Sequence, residues 1–178
     1  HCYDPTLEVE PFMTLTSRKN KAEHINLHKL SYNDNEEETI VSKEKGELKE
    51  NDLPAPRELK IKKDAKVMFI KNDSEGRWVN GTIGTVAECL DKKKKCIKVK
   101  VDGRTHKVER EEWKKVKFTY DEDLDEVYEE VVSSFKQFPL KLGWAVTIHK
   151  AQGLTLESAS VDLGDGAFAT GQAYVALS

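Results

Sequence analysis

Tight reversals constrain residues 58–118 more than any other part of the chain. The dipeptides Asn80-Gly81 and Asp102-Gly103 favour two-residue turns that join antiparallel strands. Five short segments around such turns are candidate strands, at residues 65–71, 82–90, 95–101, 105–109 and 113–118. Five short strands with close turns predict a small all-β barrel of the SH3-like type.

Charge is sorted along the chain. The net charge is −3, but residues 57–117 carry +9, residues 1–56 carry −5 and residues 118–178 carry −7. Within the basic part, Lys98 and Lys100 alternate with apolar residues, so this strand is predicted to have one core face and one basic face. A basic middle between acidic flanks favours a polyanionic partner. A solvated lysine-rich surface would produce the same composition.

The flanking segments have the alternating strand and helix pattern of an α/β domain. Residues 11–17 predict a short buried strand, and residues 19–32 predict a helix with Ser17 as its cap. Arg18 lies at the junction, where functional side chains of α/β folds tend to lie. Residues 159–163 predict another buried strand, followed by a helix. The chain is therefore predicted to be a discontinuous α/β domain with an inserted barrel.

Composition sets the expected domain limits. Residues 1–56 and 135–178 are the two parts of the α/β domain, and residues 57–134 hold the barrel and an acidic linker at 121–130. The chain begins with His1 rather than Met, so we expect it to be cut from a longer protein. No apolar run is long enough to span a membrane. Three cysteines without a C-x-x-C pair predict reduced thiols in a cytoplasmic protein and no metal site.

Residues 139–153 combine helix punctuation with dense polar chemistry. Pro139 and Gly153 frame the segment, as suits a helix of about fourteen residues. An apolar stripe is formed by Trp144, Ile148 and Ala151. Two polar pairs have helical spacing, Thr147 with Lys150 and His149 with Gln152. Such a helix is suited to touch a ligand, although a surface helix without a ligand would show the same spacing.

Residues 144–156, Trp-Ala-Val-Thr-Ile-His-Lys-Ala-Gln-Gly-Leu-Thr-Leu, resemble motif V of superfamily 1 DNA helicases, closest to the RecD/Pif-type branch. Residues 171–178, Gly-Gln-Ala-Tyr-Val-Ala-Leu-Ser, resemble the start of motif VI. Residues 66–72 with 79–84 resemble the start of the barrel that this branch inserts, and residues 14–26 more loosely resemble motif IV. The resemblance implies a RecA-like second motor domain (P-loop NTPase type) that carries an SH3-like insert.

The resemblance also implies that ATP and Mg²⁺ bind between this domain and a first RecA-like domain. The first domain supplies the phosphate loop, yet the sequence contains no G-x-x-x-x-G-K-[ST]. The arginine that would follow Ser178 and reach the terminal phosphate is also absent. The implied molecule is a C-terminal fragment of an ATP-dependent DNA helicase, inactive by itself. Its implied partners are single-stranded DNA and the missing first domain.

Site roles follow from the same resemblance. The residues implied at the nucleotide cleft are Arg18, Gly153, Thr155, Glu157 and Gln172. The residues implied in DNA binding are Thr147, His149, Lys150 and Gln152 of motif V, with Trp78, Lys93 and Lys94 of the barrel. Trp78 and Trp113 are candidates for stacking on bases, while core packing is favoured for at least one of the two rings.

Two other hypotheses fit the same residues. The basic barrel would serve a non-catalytic nucleic-acid-binding module, or an SH3-like fold would bind a partner peptide. Loss of single-strand binding in Lys150→Ala and Gln152→Ala variants would favour the helicase. Loss only on changes at residues 92–95 would favour the nucleic-acid module, and no binding at low salt would favour the peptide module.

Overall fold

The computed structural model describes residues 13–91, 95–121, 126–153 and 158–162. In chain order the elements are β1 (Met13–Thr16), α1 (Lys19–Ser31), β2 (Glu37–Val41), β3 (Lys43–Lys45), a 3₁₀ turn (Glu50–Asp52), β4 (Glu58–Lys62), β5 (Lys66–Phe69), β6 (Ile83–Asp91), β7 (Cys96–Val101), β8 (Arg104–Val108), β9 (Glu111–Asp121), β10 (Glu126–Gln137), β11 (Leu140–Leu142), β12 (Ala145–Thr147), α2 (Ile148–Ala151) and β13 (Ala159–Asp162). The chain divides into two compact units, His1–Asp34 with Leu142–Ser178 and Asn35–Lys141. Within the described ranges, no helix is long and apolar enough to cross a membrane.

The first unit contains a three-stranded parallel sheet in the order β12-β1-β13. Met13 and Leu15 of β1 are buried, and α1 buries Ala22 and Leu30. The strand at 11–17 and the helix at 19–32 are thus confirmed within the described residues, from Met13 on. Thr16 is in register with the last residues of both neighbouring strands. Because the strands are parallel, their carboxyl ends meet at one edge of the sheet.

The predicted fourteen-residue helix over 139–153 is wrong. Its first half forms β11 and β12, and only the four residues of α2 are helical. Ala145 and Val146, which are successive residues of β12, are both buried, as in a strand covered on both faces. A short apolar run of this kind fits a buried strand and a helix equally well, because its length does not reveal the period.

Two smaller predictions in the first unit are also wrong. Arg18, not Ser17, occupies the N-cap position of α1, and the Arg18 side chain makes no capping hydrogen bond. Ser17 is itself buried. The strand at β13 forms where predicted, but Ala159 and Ser160 are exposed rather than buried.

The second unit contains a five-stranded sheet in the order β11-β5-β6-β7-β8. Strands β5 to β8 pair antiparallel with their sequence neighbours, as the turn pattern predicted. Ile97, Val99 and Val101 of β7 are buried while Lys100 is exposed, so the predicted core and basic faces are confirmed. A two-stranded sheet of β2 and β4 lies in the same unit.

A long hairpin formed by β9 and β10 departs from the sequence predictions. The fifth predicted barrel strand, β9, pairs with β10, and β10 pairs with β3. The acidic stretch 121–130, predicted to be a linker, contributes residues from Glu126 onward to β10. Val127 and Val131 favour a strand here because β-branched side chains fit a pleated surface. A bulge at Val132 interrupts the ladder.

Candidate nucleic-acid and nucleotide interface

The carboxyl edge of the parallel sheet gathers the polar residues that the sequence singled out. Thr16 is aligned with Thr147 of β12 and with Asp162 of β13. Arg18 follows β1 by two residues, and α2 follows β12 with no residue between them. Open α/β sheets bind ligands at this edge. The structure therefore brings Arg18 and the segment after Thr147 to one edge of one sheet.

The turn after β1 is held by a side chain of the strand itself. The Thr16 hydroxyl is buried and donates a hydrogen bond to the carbonyl oxygen of Arg18 at 3.0 Å. The Arg18 side chain is exposed and extends from the start of α1. Lys21, one turn later, places its Nζ 2.6 Å from Oδ1 of Asp162. This ion pair ties the start of α1 to the end of β13.

The polar segment after β12 is anchored by one apolar residue. Ile148 is 2% exposed, whereas His149, Lys150 and Gln152 are exposed. Gly153 has a φ of +79°, in the left-handed region that glycine adopts without strain. The segment thus presents an imidazole, an ammonium group and a carboxamide to solvent over one short turn. Such groups suit phosphate oxygens, and the ammonium group adds a salt-sensitive attraction.

Trp78 is buried, so its ring offers little surface on which a base could stack. Its side chain packs on Phe69 with ring centroids 4.4 Å apart, and the Arg77 guanidinium lies 4.6 Å from its centroid. Trp113 is half-buried, with Phe135 at 6.0 Å and Lys71 Nζ at 5.5 Å from its ring centroid. Both rings pack against the protein's own side chains.

A basic face of the five-stranded sheet was only partly visible in the sequence. Cross-strand register aligns two rows, the first of Lys66, Thr85, Lys100 and Thr105 and the second of Glu88, Lys98 and Lys107. Glu88 lies 2.8 Å from Lys98 Nζ, and this hydrogen-bonded carboxylate raises the pKa of Lys98. Alternation along β7 signals Lys100, but the place of Lys107 beside Lys98 depends on strand register. This face adds hydroxyl and ammonium groups suited to a polyanion.

Several predicted site residues lie outside the described ranges, namely Thr155, Glu157, Gln172, Lys93 and Lys94. Among the residues that the structure does describe, no three His, Cys, Asp or Glu side chains are grouped so as to hold a metal ion. Arg18 supplies a charge for a phosphate group, so the described donor set suits a phosphate contact rather than a magnesium site.

The chain is similar in sequence and in structure to known proteins. No protein-family model matches the chain. A curated relative from Bdellovibrio bacteriovorus, ATP-dependent DNA helicase Pif1, is 36% identical over 177 residues, covering 96% of this chain and 37% of the relative. Bacteroides Pif1 bound to ssDNA has a TM-score of 0.79 at 34% identity, covering 96% of this chain and 38% of that chain.

A second solved structure is Bacteroides Pif1 in complex with ADP-AlF3 and ssDNA. Its TM-score is 0.78 at 33% identity, and the match covers 98% of this chain and 39% of that chain. The chain thus spans less than two fifths of the length of these relatives.

Proposed function

Because the chain belongs to the Pif1-type branch of superfamily 1 helicases, we propose that it is part of an ATP-dependent DNA helicase. In this proposal the chain couples ATP use at an interdomain cleft to movement along single-stranded DNA and to duplex unwinding. The observation that carries it is the shared sheet edge of Arg18 and the segment after Thr147. A single sheet edge that holds a phosphate-sensing group and a DNA-contacting turn suits such coupling.

The two compact units have separate roles in this proposal. The unit with the parallel sheet is the RecA-like second motor domain, and Asn35–Lys141 is its SH3-like insert. The pairing of β2 with β4 and of β3 with β10 supports limits wider than the 57–134 expected from composition. A cytoplasmic location stays a prediction.

Single-stranded DNA is the proposed partner of the turn after β12. In this proposal Lys150 pairs with a backbone phosphate, and Thr147, His149 and Gln152 donate hydrogen bonds to phosphate oxygens. Gly153 lets the backbone turn sharply after them. The structures of Bacteroides Pif1 with ssDNA support this choice of partner.

The nucleotide is assigned to the same sheet edge, at the turn between β1 and α1. We assign Arg18 to the phosphates of ATP, since a guanidinium forms paired hydrogen bonds with phosphate oxygens. ATP, when bound, supplies the free energy of terminal phosphate transfer. The phosphate loop and the acids that hold Mg²⁺ belong, in this proposal, to a first motor domain of the helicase. Gly153, Thr155, Glu157 and Gln172 remain proposed cleft residues.

Salt-dependent DNA binding tests the proposal in the complete gene product that contains this chain. Fluorescence anisotropy with labelled single-stranded DNA would compare wild type with Lys150→Ala and Gln152→Ala. Loss of one phosphate contact reduces the slope of log Kobs against log salt by about 0.7, which is on the order of fivefold in affinity at 0.1 M salt. We expect this loss for Lys150→Ala, with a smaller salt effect for the uncharged Gln152→Ala.

Two further variants separate the proposal from its rivals. Lys49→Ala removes an exposed lysine of the second unit and serves as the matched control, with unchanged binding expected. The double variant Lys100→Ala/Lys107→Ala tests the basic sheet face. If binding is lost only in that double variant, the basic face holds the DNA and the role proposed for the turn is wrong. If wild type hydrolyses no ATP in the presence of DNA, the helicase proposal fails.

A further inference from the structure

Asn26 of α1 makes three hydrogen bonds with the backbone at the start of β12. Its Oδ1 accepts from the N–H groups of Trp144 at 3.0 Å and Ala145 at 2.8 Å. Its Nδ2 donates to the carbonyl oxygen of Ala145 at 2.8 Å. One carboxamide thus satisfies both backbone groups of Ala145, as a neighbouring strand would.

The position of β12 explains why this contact matters. Among the described residues, β12 is the first strand in the sheet order, with β1 beside it. The Trp144 carbonyl accepts from the Thr14 N–H of β1 at 2.8 Å. Asn26 holds the same stretch of backbone from α1. Residues 144 and 145 are therefore fixed between a strand and a helix, and any shift of α1 must move them or break three hydrogen bonds.

The geometry extends from this contact in two directions. Toward the carboxyl end, β12 leads without a break into α2, which carries His149 and Lys150. Toward the amino end of α1, Arg18 lies eight residues before Asn26, or about 12 Å at 1.5 Å per residue. Helix α1 therefore connects the exposed guanidinium to the exposed polar turn through the side chain of Asn26.

We infer that Asn26 is a positioning residue that transmits movement of α1 to the turn after β12. This inference rests on the proposed function, because it assigns nucleotide phosphates to Arg18 and single-stranded DNA to the turn. Binding of the nucleotide at Arg18 shifts α1, and Asn26 carries that shift to Lys150. Asn26 itself touches neither ligand, so its loss uncouples the two binding events and leaves each binding group in place.

The coupling between the two ligands can be measured through the effect of one ligand on the affinity for the other. A coupling between two sites changes the affinity of each ligand by the same factor, commonly about 5- to 150-fold. The dissociation constant for single-stranded DNA would be measured in the complete gene product with and without a non-hydrolysable ATP analogue. In wild type we expect a ratio different from one. In Asn26→Ala we expect that ratio to approach one, a change of about fivefold or more, and DNA to stimulate ATP hydrolysis less.

Two other variants keep the inference falsifiable. Asn26→Asp is the second variant, to be used if Asn26→Ala does not fold. It retains an acceptor for the two N–H groups but faces the Ala145 carbonyl with a second oxygen, so we expect an intermediate loss of coupling. Asn20→Ala changes an exposed asparagine on the same helix and should preserve coupling. A merely structural role for Asn26 would lower the melting temperature and leave the affinity ratio at its wild-type value, which would overturn the inference.

The outcomes distinguish a failure of the proposed function from a failure of the inference about Asn26. If wild type shows no effect of nucleotide on DNA affinity and no DNA-stimulated hydrolysis, the proposed function fails. If wild type couples the two ligands and both folded Asn26 variants couple them equally well, only the inference about Asn26 fails.

Discussion

Asp73 binds Arg77 through both carboxylate oxygens, with Oδ2 2.8 Å from Nε and Oδ1 2.7 Å from Nη2. The same Oδ2 accepts the backbone N–H groups of Glu75 and Arg77, each at 3.1 Å. Arg77 in turn lies over the ring of Trp78. One carboxylate therefore shapes the loop between β5 and β6 and fixes the guanidinium that covers Trp78.

This ion pair predicts a defined response to acid. The hydrogen bond from Arg77 lowers the pKa of Asp73 from 3.8 to about 2 in the folded chain. Its stabilisation is therefore complete above a pH of about 4 and is lost as the pH falls toward 2. We expect Asp73→Asn to melt below wild type at pH 6, with the gap narrowing between about pH 4 and pH 2. Asp34→Asn changes an exposed aspartate and should melt close to wild type at pH 6.

Replacement of the Gln137 carboxamide by an apolar side chain is expected to lower the free energy of unfolding substantially. The side chain is fully buried, and its Nε2 donates to the carbonyl oxygens of Ile40, Pro56 and Arg57 at 2.9 to 3.3 Å. Its Oε1 accepts from the N–H of Phe138 at 3.0 Å. Replacement by leucine leaves several buried backbone groups without this partner, each with a penalty of about 1–3 kcal/mol.

We expect Gln137→Leu to lower the free energy of unfolding by about 2–4 kcal/mol in urea titrations. The neighbouring side chain of Lys136 is exposed, so Lys136→Ala should change it by less than about 0.5 kcal/mol. A Gln137→Leu protein as stable as Lys136→Ala would show that water replaces the carboxamide at these carbonyls.

Gly46 and Gly103 form a matched pair for testing steric strain. Both have a positive φ, +76° and +79° respectively. A Cβ at Gly46 would lie 2.3 Å from the carbonyl oxygen of Val132, whereas a Cβ at Gly103 meets nothing within 4 Å. Gly103→Ala should therefore lower the free energy of unfolding by only about 1–2 kcal/mol, from the left-handed backbone alone. Gly46→Ala should lose about 3 kcal/mol or more, since the bulge in β10 must move. Equal losses in chemical denaturation would contradict the close approach.

Cys89 is predicted to be slow to react. Burial, with the negative charges of Glu38 and Asp64 adding to it, raises the pKa of its thiol to about 11. Because the thiolate is the nucleophile, alkylation by iodoacetamide at pH 7.5 should be about 100-fold slower than in the urea-unfolded chain. Peptide mapping by mass spectrometry measures the rate at Cys89 itself. Labelling at the unfolded rate would mean that the thiol is open to solvent.

Local sequence patterns correctly predicted those parts of the fold that depend on residues close together in the sequence. The alternation around Val99 and Lys100 identified both faces of β7, because a strand shows its faces with period two. The helical interpretation failed for the first half of residues 139–153, because the strand that pairs with β12, β1, lies far away in the sequence. The DNA-binding role of the polar residues in that segment stays a prediction, since it was inferred from their chemistry and not from the element that carries them.

The candidate site shows the same division. Arg18 was placed correctly at a strand-to-helix junction, which is a local feature. The role of Asn26 was invisible, because an asparagine in a helix gives no signal of a backbone contact more than a hundred residues away. The row of Lys98 and Lys107 likewise required a strand register that turn chemistry alone does not specify.

The discontinuous first unit has a consequence for the order of folding during synthesis. Thr16 and Val146 are 130 positions apart, so at about 5–20 residues per second β12 is made roughly 6 to 26 s after β1. All of Asn35–Lys141 is translated in that interval, and its early folding would shorten the loop that β1 and β12 must close. Until then, the apolar side chains of Met13 and Leu15 have no sheet to join. If Asn35–Lys141 folds as soon as it has been made, the nascent chain passes through a period in which that unit is folded and β1 still awaits its partner strands.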